Sequence, residues 1–263
     1  MEPLVLKSFE KQPANCEIHG DYMAVSLRDR LTGCPTCSEE SRREREREKG
    51  EEERRERVEA WIARSGLEGR FYEARFDNYR VSGEQQAKVL EACRAFAASV
   101  KSDSGTSLWL IGPPGTGKTH LGSSMVRHLI EERDQMAAIF SGREIIRSLR
   151  ATWGQKGPRG FRGQATTEEQ LLDDLGRMTL LVIDEIGMNF GSDAEQVQLF
   201  DVIDLRYKHR RPTVLMSNLT TKELKGAIGE RAYDRLREGA QVLPCNWESY
   251  RGRPARQNME SVR

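Results

Sequence analysis

The 263-residue chain has no long apolar run, and Leu180 to Ile183 is among its longest aliphatic stretches. A membrane-spanning helix needs about 20 apolar residues, so none is expected. Net charge is nearly absent as well: 42 Lys and Arg stand against 41 Asp and Glu, leaving +1. That excludes a globally basic nucleic-acid binder but not a local basic patch. Cysteine is scarce, with five residues. The first residues carry Glu2, Lys7, Glu10 and Lys11 and no apolar segment of a secretory signal. The expectation is a cytoplasmic protein without a disulfide framework, in which paired Cys and His bind metal.

Charge is abundant in total, at 32% of residues against roughly 25% in an ordinary soluble domain. Much of it sits in 39–57, a nearly pure Glu/Arg stretch. This predicts a solvated helix laced by i,i+4 pairs, with Gly50 as a weak point or hinge and no apolar seam for a coiled coil before Val58. Three regions follow: a small module over 1–38, a charged helical linker over 39–63, and a large domain over 64–263. In the last, helical periodicity over 84–100 puts Val89, Leu90, Cys93, Phe96, Ala97 and Val100 on one face. Short apolar runs at 107–111, 137–140, 179–183 and 212–217 read as buried parallel strands, and helical patterns cover 119–132, 143–150, 167–176 and 194–209. The fold class expected is α/β, a parallel sheet flanked by helices.

Gly112-Pro113-Pro114-Gly115-Thr116-Gly117-Lys118-Thr119 matches G-x-x-x-x-G-K-[ST] between a predicted strand and a predicted helix. Glycines there let backbone N–H groups close on phosphate oxygens, and the helix dipole favours the same anion. Lys118 brings a point charge to the β and γ phosphates, Thr119 a hydroxyl for Mg²⁺, and His120 follows directly. The strand ending in Asp184-Glu185 places two carboxylates at the carboxyl edge of the sheet, where ligands bind. Asp184 is expected to hold Mg²⁺ and Glu185 to activate the attacking water, which makes the chain an ATPase. Asn218 ends the next strand at the same edge and can reach the γ phosphate. Beyond it, Arg231 and Arg235 lie four apart on one helix face. With no arginine close to the phosphate loop, an arginine supplied by a neighbouring subunit is expected.

Between the second and third strands stand Arg143, Arg147, Arg150, Lys156, Arg159 and Arg162 with one acid, Glu144. Trp153 and Phe161 are interleaved. Cations for the backbone and aromatic faces for the bases suit single-stranded nucleic acid. At the other end, Cys16-Glu-Ile-His19 and Cys34-Pro-Thr-Cys37 form two ligand pairs 14 residues apart. Four such ligands suit tetrahedral structural Zn²⁺ and leave no open coordination position for catalysis. The alternative, free thiols, leaves a 38-residue module little to fold around.

Phe76-Asp-Asn-Tyr79-Arg, the phosphate loop, Glu168-Glu-Gln-Leu-Leu-Asp-Asp-Leu, Leu-Val-Ile-Asp184-Glu185-Ile-Gly, Gly229-Glu-Arg-Ala-Tyr-Asp-Arg-Leu-Arg and Asn246-Trp-Glu-Ser-Tyr-Arg251 together resemble AAA+ proteins of the DnaC type, the loaders of the bacterial replicative helicase. The likeness runs from about Arg64 to Tyr250. It implies that Asn218 is sensor 1, Arg235 the arginine finger in trans and Arg251 the sensor 2 arginine, in a self-oligomer (ring or spiral) around single-stranded DNA. A Ser that touches DNA in the family is matched by Ser192, whereas Ala194 replaces the family's Tyr, which shifts the expected contact toward Trp153 and the longer Gly-rich insertion over 154–164. The Cys/His module is an addition found in some phage-type loaders, and by the resemblance residues 1–60 dock on a DnaB-like replicative helicase. The function implied is ATP-dependent loading of that helicase on single-stranded DNA, with ATP, Mg²⁺ and Zn²⁺ bound. Two rivals stay open: a transposition helper ATPase of the IstB kind, and an adaptor gated by ATP without needed turnover.

Overall fold

Strands buried on both faces are apolar along most of their length, and the central strands of this protein are, through Leu108 to Leu110, Leu180 to Ile183 and Val214 to Met216. The computed structural model describes residues 10–27, 30–153, 167–187 and 193–251. The chain divides into two units, one ending at Arg57 and one beginning at Val58.

In the first unit, β1 (Lys11–Cys16) and β2 (Gly20–Leu27) pair antiparallel, and β3 (Arg30–Leu31) adds to β2. The helix α1 (Pro35–Ile62) starts within the second ligand pair and carries the Glu/Arg run. Pairs such as Arg42–Glu46, Arg43–Glu39 and Lys49–Glu53 lace its exposed surface, where solvent screens them strongly. Gly50, expected to act as a hinge, lies inside an unbroken helix. The pairs Arg47–Glu51 and Lys49–Glu53 span it.

The second unit holds α2 (Glu84–Ser99), β4 (Ser107–Ile111), α3 (Lys118–Glu131), β5 (Ala137–Ser141), α4 (Gly142–Ala151), α5 (Glu168–Arg177), β6 (Leu180–Ile186), α6 (Asp193–Lys208), β7 (Thr213–Ser217), α7 (Thr221–Ile228), α8 (Glu230–Arg237) and β8 (Ala240–Pro244). The five strands form one parallel sheet in the order β5-β6-β7-β4-β8. Alternation sorts its residues onto two cores. Leu108, Leu110, Val182, Val214 and Met216 pack with Val89, Phe96, Leu121 and Met125. Trp109, Leu181, Ile183 and Leu215 pack with Ile145, Leu149, Leu175, Leu199, Val202 and Leu236. Helices therefore cover both faces, and all carboxyl ends of the strands share one edge.

One buried charge ties this second layer together. Arg206 is 1% exposed. Its guanidinium donates to Leu175 O (2.6 Å), Met178 O (3.1 Å), Thr213 Oγ1 (2.9 Å) and Pro212 O. Two of these are carbonyls at the end of α5, whose partial negative charge suits a cation. Burial lowers the basicity of the group, but the acceptors surround it. Arg206→Met keeps the bulk and removes every donor. Orphaned buried carbonyls cost about 1–3 kcal/mol each, so the variant should lose on the order of 3 kcal/mol or more in urea unfolding; an unchanged midpoint would show that the guanidinium is dispensable.

Candidate functional site

The phosphate loop owes its shape to contacts that only glycine permits. Gly115 (φ 83°) and Gly117 (φ 88°) lie in the left-handed region. A Cβ on Gly115 would run into the Ser249 side chain, and one on Gly117 would stand 2.7 Å from the Tyr79 ring. Tyr79 OH (3.2 Å) and Trp247 Nε1 (3.0 Å) both donate to Thr116 O, and Tyr250 N donates to Gly115 O (2.8 Å). Two segments far apart in sequence thus clamp one loop. Lys118 Nζ folds back on that loop, donating to Gly112 O (2.7 Å) and Pro113 O (2.8 Å). Burial lowers its pKa, and an anion in the loop would restore a full countercharge.

Thr119 is the second residue of α3, and its hydroxyl donates to Asp184 Oδ2 at 2.7 Å. Asp184 Oδ1 accepts the Glu185 backbone N–H at 2.7 Å. Burial raises the pKa of Asp184, against the lowering by these two hydrogen bonds. The pairing of β6 with β7 shifts register between Ile183 and Ile186, and Glu185 has φ 55°. This is a bulge that turns an otherwise buried strand position outward: Glu185 is exposed while Ile183 and Ile186 are fully buried. The Thr119 hydroxyl and the Asp184 carboxylate are hard oxygen donors side by side, a set that fits Mg²⁺.

These groups open on a cavity of about 560 Å³, a size that suits a nucleotide. Pro114 through His120, Asp184, Glu185, Ser217 and Asn218 line it, together with Phe71, Asn78, Tyr79 and Gln86. His120 Nε2 donates to Arg75 O (3.0 Å), and its ring stacks edge-on against Tyr79 at 5.3 Å; burial lowers its pKa. The expectation that no arginine lies near the loop is corrected: Arg70, Arg80 and Arg251 all line the cavity. They come from segments that fold back onto the loop, and Arg80 Nη1 donates to Tyr250 OH (2.8 Å). Of these, Arg251 was singled out from the sequence; Arg70, Arg80 and the Tyr79–Trp247 clamp were not. Arg235 lies elsewhere, paired with Asp204, and does not line this cavity.

On α4 the side chains of Arg143, Arg147 and Arg150 are exposed, while Ile145, Ile146 and Leu149 are buried. Arg150 Nε donates to Gln198 Oε1 (3.2 Å). Trp153 is 67% exposed, with its indole N–H donating to Glu168 Oε2 (2.8 Å). The ring face is thereby presented rather than folded away. Lys156, Arg159, Phe161, Arg162 and Ser192 lie outside the described residues.

The four knuckle residues come together. The ligand atoms of Cys16, His19, Cys34 and Cys37 all lie within 4.8 Å of one another. Cys16 Sγ and Cys37 Sγ are 3.5 Å apart, and His19 Nδ1 is 3.3–3.8 Å from the three sulfurs. A tetrahedron with Zn–S bonds of about 2.3 Å has edges of about 3.8 Å, so the set fits zinc. His19 Nε2 faces Glu40 Oε1 at 3.2 Å, the carboxylate that orients a ligating imidazole. Backbone N–H groups of His19 and Ile18 pull the Cys16 thiol down to about 6, and that of Cys37 lowers Cys34, so thiolate is favoured at the first cysteine of each pair.

Two expected outcomes follow from this geometry. At φ 55° any residue with a Cβ is strained relative to glycine by about 1 kcal/mol. Glu185→Gly should therefore melt above Glu185→Ala in a thermal scan, and the reverse order would remove the strain. Treatment with a strong chelator should release about one zinc per chain and abolish amide-exchange protection over residues 10–38, because metal and folding are linked in so small a module. Full protection in verified metal-free protein would refute the zinc assignment.

Comparison with known proteins agrees with this geometry. The family described as IstB-like ATP binding protein matches residues 46–258. The replicative helicase loader DnaC of Escherichia coli (strain K12) is 34% identical over 203 residues, 77% of this chain and 79% of its own. The DnaC of Buchnera aphidicola subsp. Acyrthosiphon pisum is 34% identical over 192 residues, 72% and 74% of the two chains. A crystal structure of the DnaC helicase loader matches with TM-score 0.58 at 22% identity over 67% of this chain and 99% of that one. One of DnaI matches with TM-score 0.57 at 18% identity over 72% and 96%; both show the shared fold. The four Cys/His residues precede the matched family stretch. The chain thus belongs to the IstB-like ATP-binding family of AAA+ proteins, as a relative of the DnaC replicative helicase loaders.

Proposed function

We propose that the protein loads a replicative helicase onto single-stranded DNA in a cycle driven by ATP binding and hydrolysis. The observation that carries this reading is the joined site: a lysine-bearing phosphate loop, the Thr119–Asp184 contact and the outward-turned Glu185 around one nucleotide-sized cavity, in a chain whose 34%-identical relatives are named replicative helicase loaders. Those relatives favour helicase loading over the transposition-helper alternative.

In this reading the glycine-rich loop and the N-terminus of α3 bind the phosphates. Lys118 leaves its carbonyl partners for the β and γ oxygens. Thr119 and Asp184 would hold Mg²⁺, which neutralises phosphate charge when bound. Glu185, exposed to the cavity and not tied to Lys118, accepts a proton from the attacking water. Asn218 orients that water or the γ phosphate, and Arg251 closes on the phosphates from the chain's end. Arg235 cannot act on its own subunit's cavity, which it does not line, so it completes a neighbour's site in a self-oligomer. Arg143, Arg147, Arg150 and Trp153 give single-stranded DNA a cationic, stacking surface. Cys16, His19, Cys34 and Cys37 hold Zn²⁺ and stabilise a module over 1–38 that docks on the helicase, with 39–63 as linker.

Glu185→Gln removes the proton acceptor and keeps the shape. The variant should bind ATP with wild-type affinity, lose turnover by roughly 100-fold or more, and remain on the helicase–DNA complex after loading. Release at the wild-type rate, followed by native gel of helicase, loader and oligonucleotide, would instead support an adaptor for which turnover is incidental.

A further inference from the structure

Arg235 is held in an unusual way for an exposed helix. Its Nε lies 2.7 Å from Asp204 Oδ1, an ion-pair contact rather than a well-aligned hydrogen bond. The guanidinium carbon stands 4.7 Å over the Phe200 ring and 5.6 Å from the Tyr207 ring. Two of these partners are themselves fixed. Asp204 Oδ2 pairs with Lys208 one turn along α6 at 2.7 Å, and Tyr207 OH donates to Glu238 Oε2 at 2.6 Å. Asp204 is mostly buried, with its side chain 15% exposed against 30% for Arg235. Lys208 first, and then Arg235, hold the carboxyl below its ordinary range. The group is anionic at neutral pH.

What this arrangement leaves open is as informative as what it holds. Among the described residues, the one acceptor brought to the Arg235 guanidinium is Asp204, and it sits at Nε. A second cavity, of about 390 Å³, is lined by Arg235 with Tyr207, Lys208 and Glu238. A guanidinium pinned at Nε and stacked on aromatic faces keeps its planar fork of Nη donors in one orientation. That fork is the part that makes bidentate contacts with phosphate oxygens. Arg231 and Arg237, the other arginines of α8, have no comparable setting: both are exposed, and Arg237 pairs only with Asp234 in its own helix.

We infer that Asp204, Phe200 and Tyr207 form a positioning cage that presents the Nη groups of Arg235 to the triphosphate of an adjacent subunit. The inference rests on the reading of Arg235 as the arginine that acts in trans. Asp204 and the two rings touch no nucleotide; they act through Arg235. Their contribution is orientation: a misplaced catalytic group loses roughly 100-fold per ångström, and a long unanchored arginine samples many rotamers.

The test is a double-mutant cycle on the assembled, full-length protein. Asp204→Asn keeps the volume and removes the anchor's charge; Phe200→Leu removes one stacking face. Each should lower kcat for ATP roughly 10-fold or more, leave KM and nucleotide affinity as in the wild type, and have no further effect in an Arg235→Ala background. Asp204→Glu and Phe200→Tyr should restore part of the rate. Arg237→Ala, which removes an exposed ion pair with Asp234 within α8, serves as the control for loss of a surface ion pair, and thermal midpoints report folding. Full turnover in Arg235→Ala would overturn the trans-arginine reading itself. If Arg235→Ala is inactive while Asp204→Asn and Phe200→Leu turn over normally, or if their losses add to that of Arg235→Ala, the cage is overturned and the trans reading stands.

Discussion

The hydroxyl of Thr119 donating to the carboxylate of Asp184 across 2.7 Å joins the two halves of the site. It ties the first turn of α3 to the end of β6, so the phosphate loop and the acidic strand end are held at one distance. The parallel sheet makes this possible. Its central strands are buried on both faces, and all five share one carboxyl edge, which is where crossover helices begin and where a ligand meets their N-terminal dipoles. The same contact creates tension. Burial favours the neutral form of Asp184, while the Thr119 hydroxyl and the Glu185 N–H favour its charge. A divalent cation with phosphate oxygens would resolve that tension in favour of the carboxylate, so the site is arranged around charge that arrives with the ligand.

Much of the second unit was legible in the sequence. The apolar runs at 107–111, 137–140, 179–183 and 212–217 became β4 to β7 to within a few residues, because strands buried on both sides leave an unbroken apolar signature. The amphipathic face of α4 was equally plain, with Ile145, Ile146 and Leu149 inward and three arginines outward. The two Cys/His pairs were legible because metal ligation demands both residue type and spacing, and the structure gathers the four ligand atoms.

Other features leave no such trace. The strand β8 is short and half-exposed, so it shows neither alternation nor an apolar run. The bulge at Glu185 depends on the partner strand, since register shifts are properties of a pair and not of one segment. Arg206 reads as one more charge on a helix, yet it is among the most buried side chains, because its acceptors are backbone carbonyls contributed by other elements. Arg70 and Arg80 reach the cavity through the same fold-back that lets Tyr79 and Trp247 clamp Thr116 O. Pairing of Arg235 with Asp204 crosses from α8 to α6 and likewise needs the tertiary structure.

The central claim, that this cavity is built to hold a triphosphate through Lys118, is tested most directly by isothermal titration of ATP with Mg²⁺ into the wild type and Lys118→Ala. The lysine folds back on the phosphate loop, and its carbonyl partners can be re-solvated when it leaves. The account predicts a clear binding isotherm for the wild type and a loss of affinity by roughly 100-fold or more in the variant, given the strength of charge-assisted contacts, with an unchanged thermal midpoint. Equal affinity in the two proteins, or no binding by the folded wild type, would contradict it.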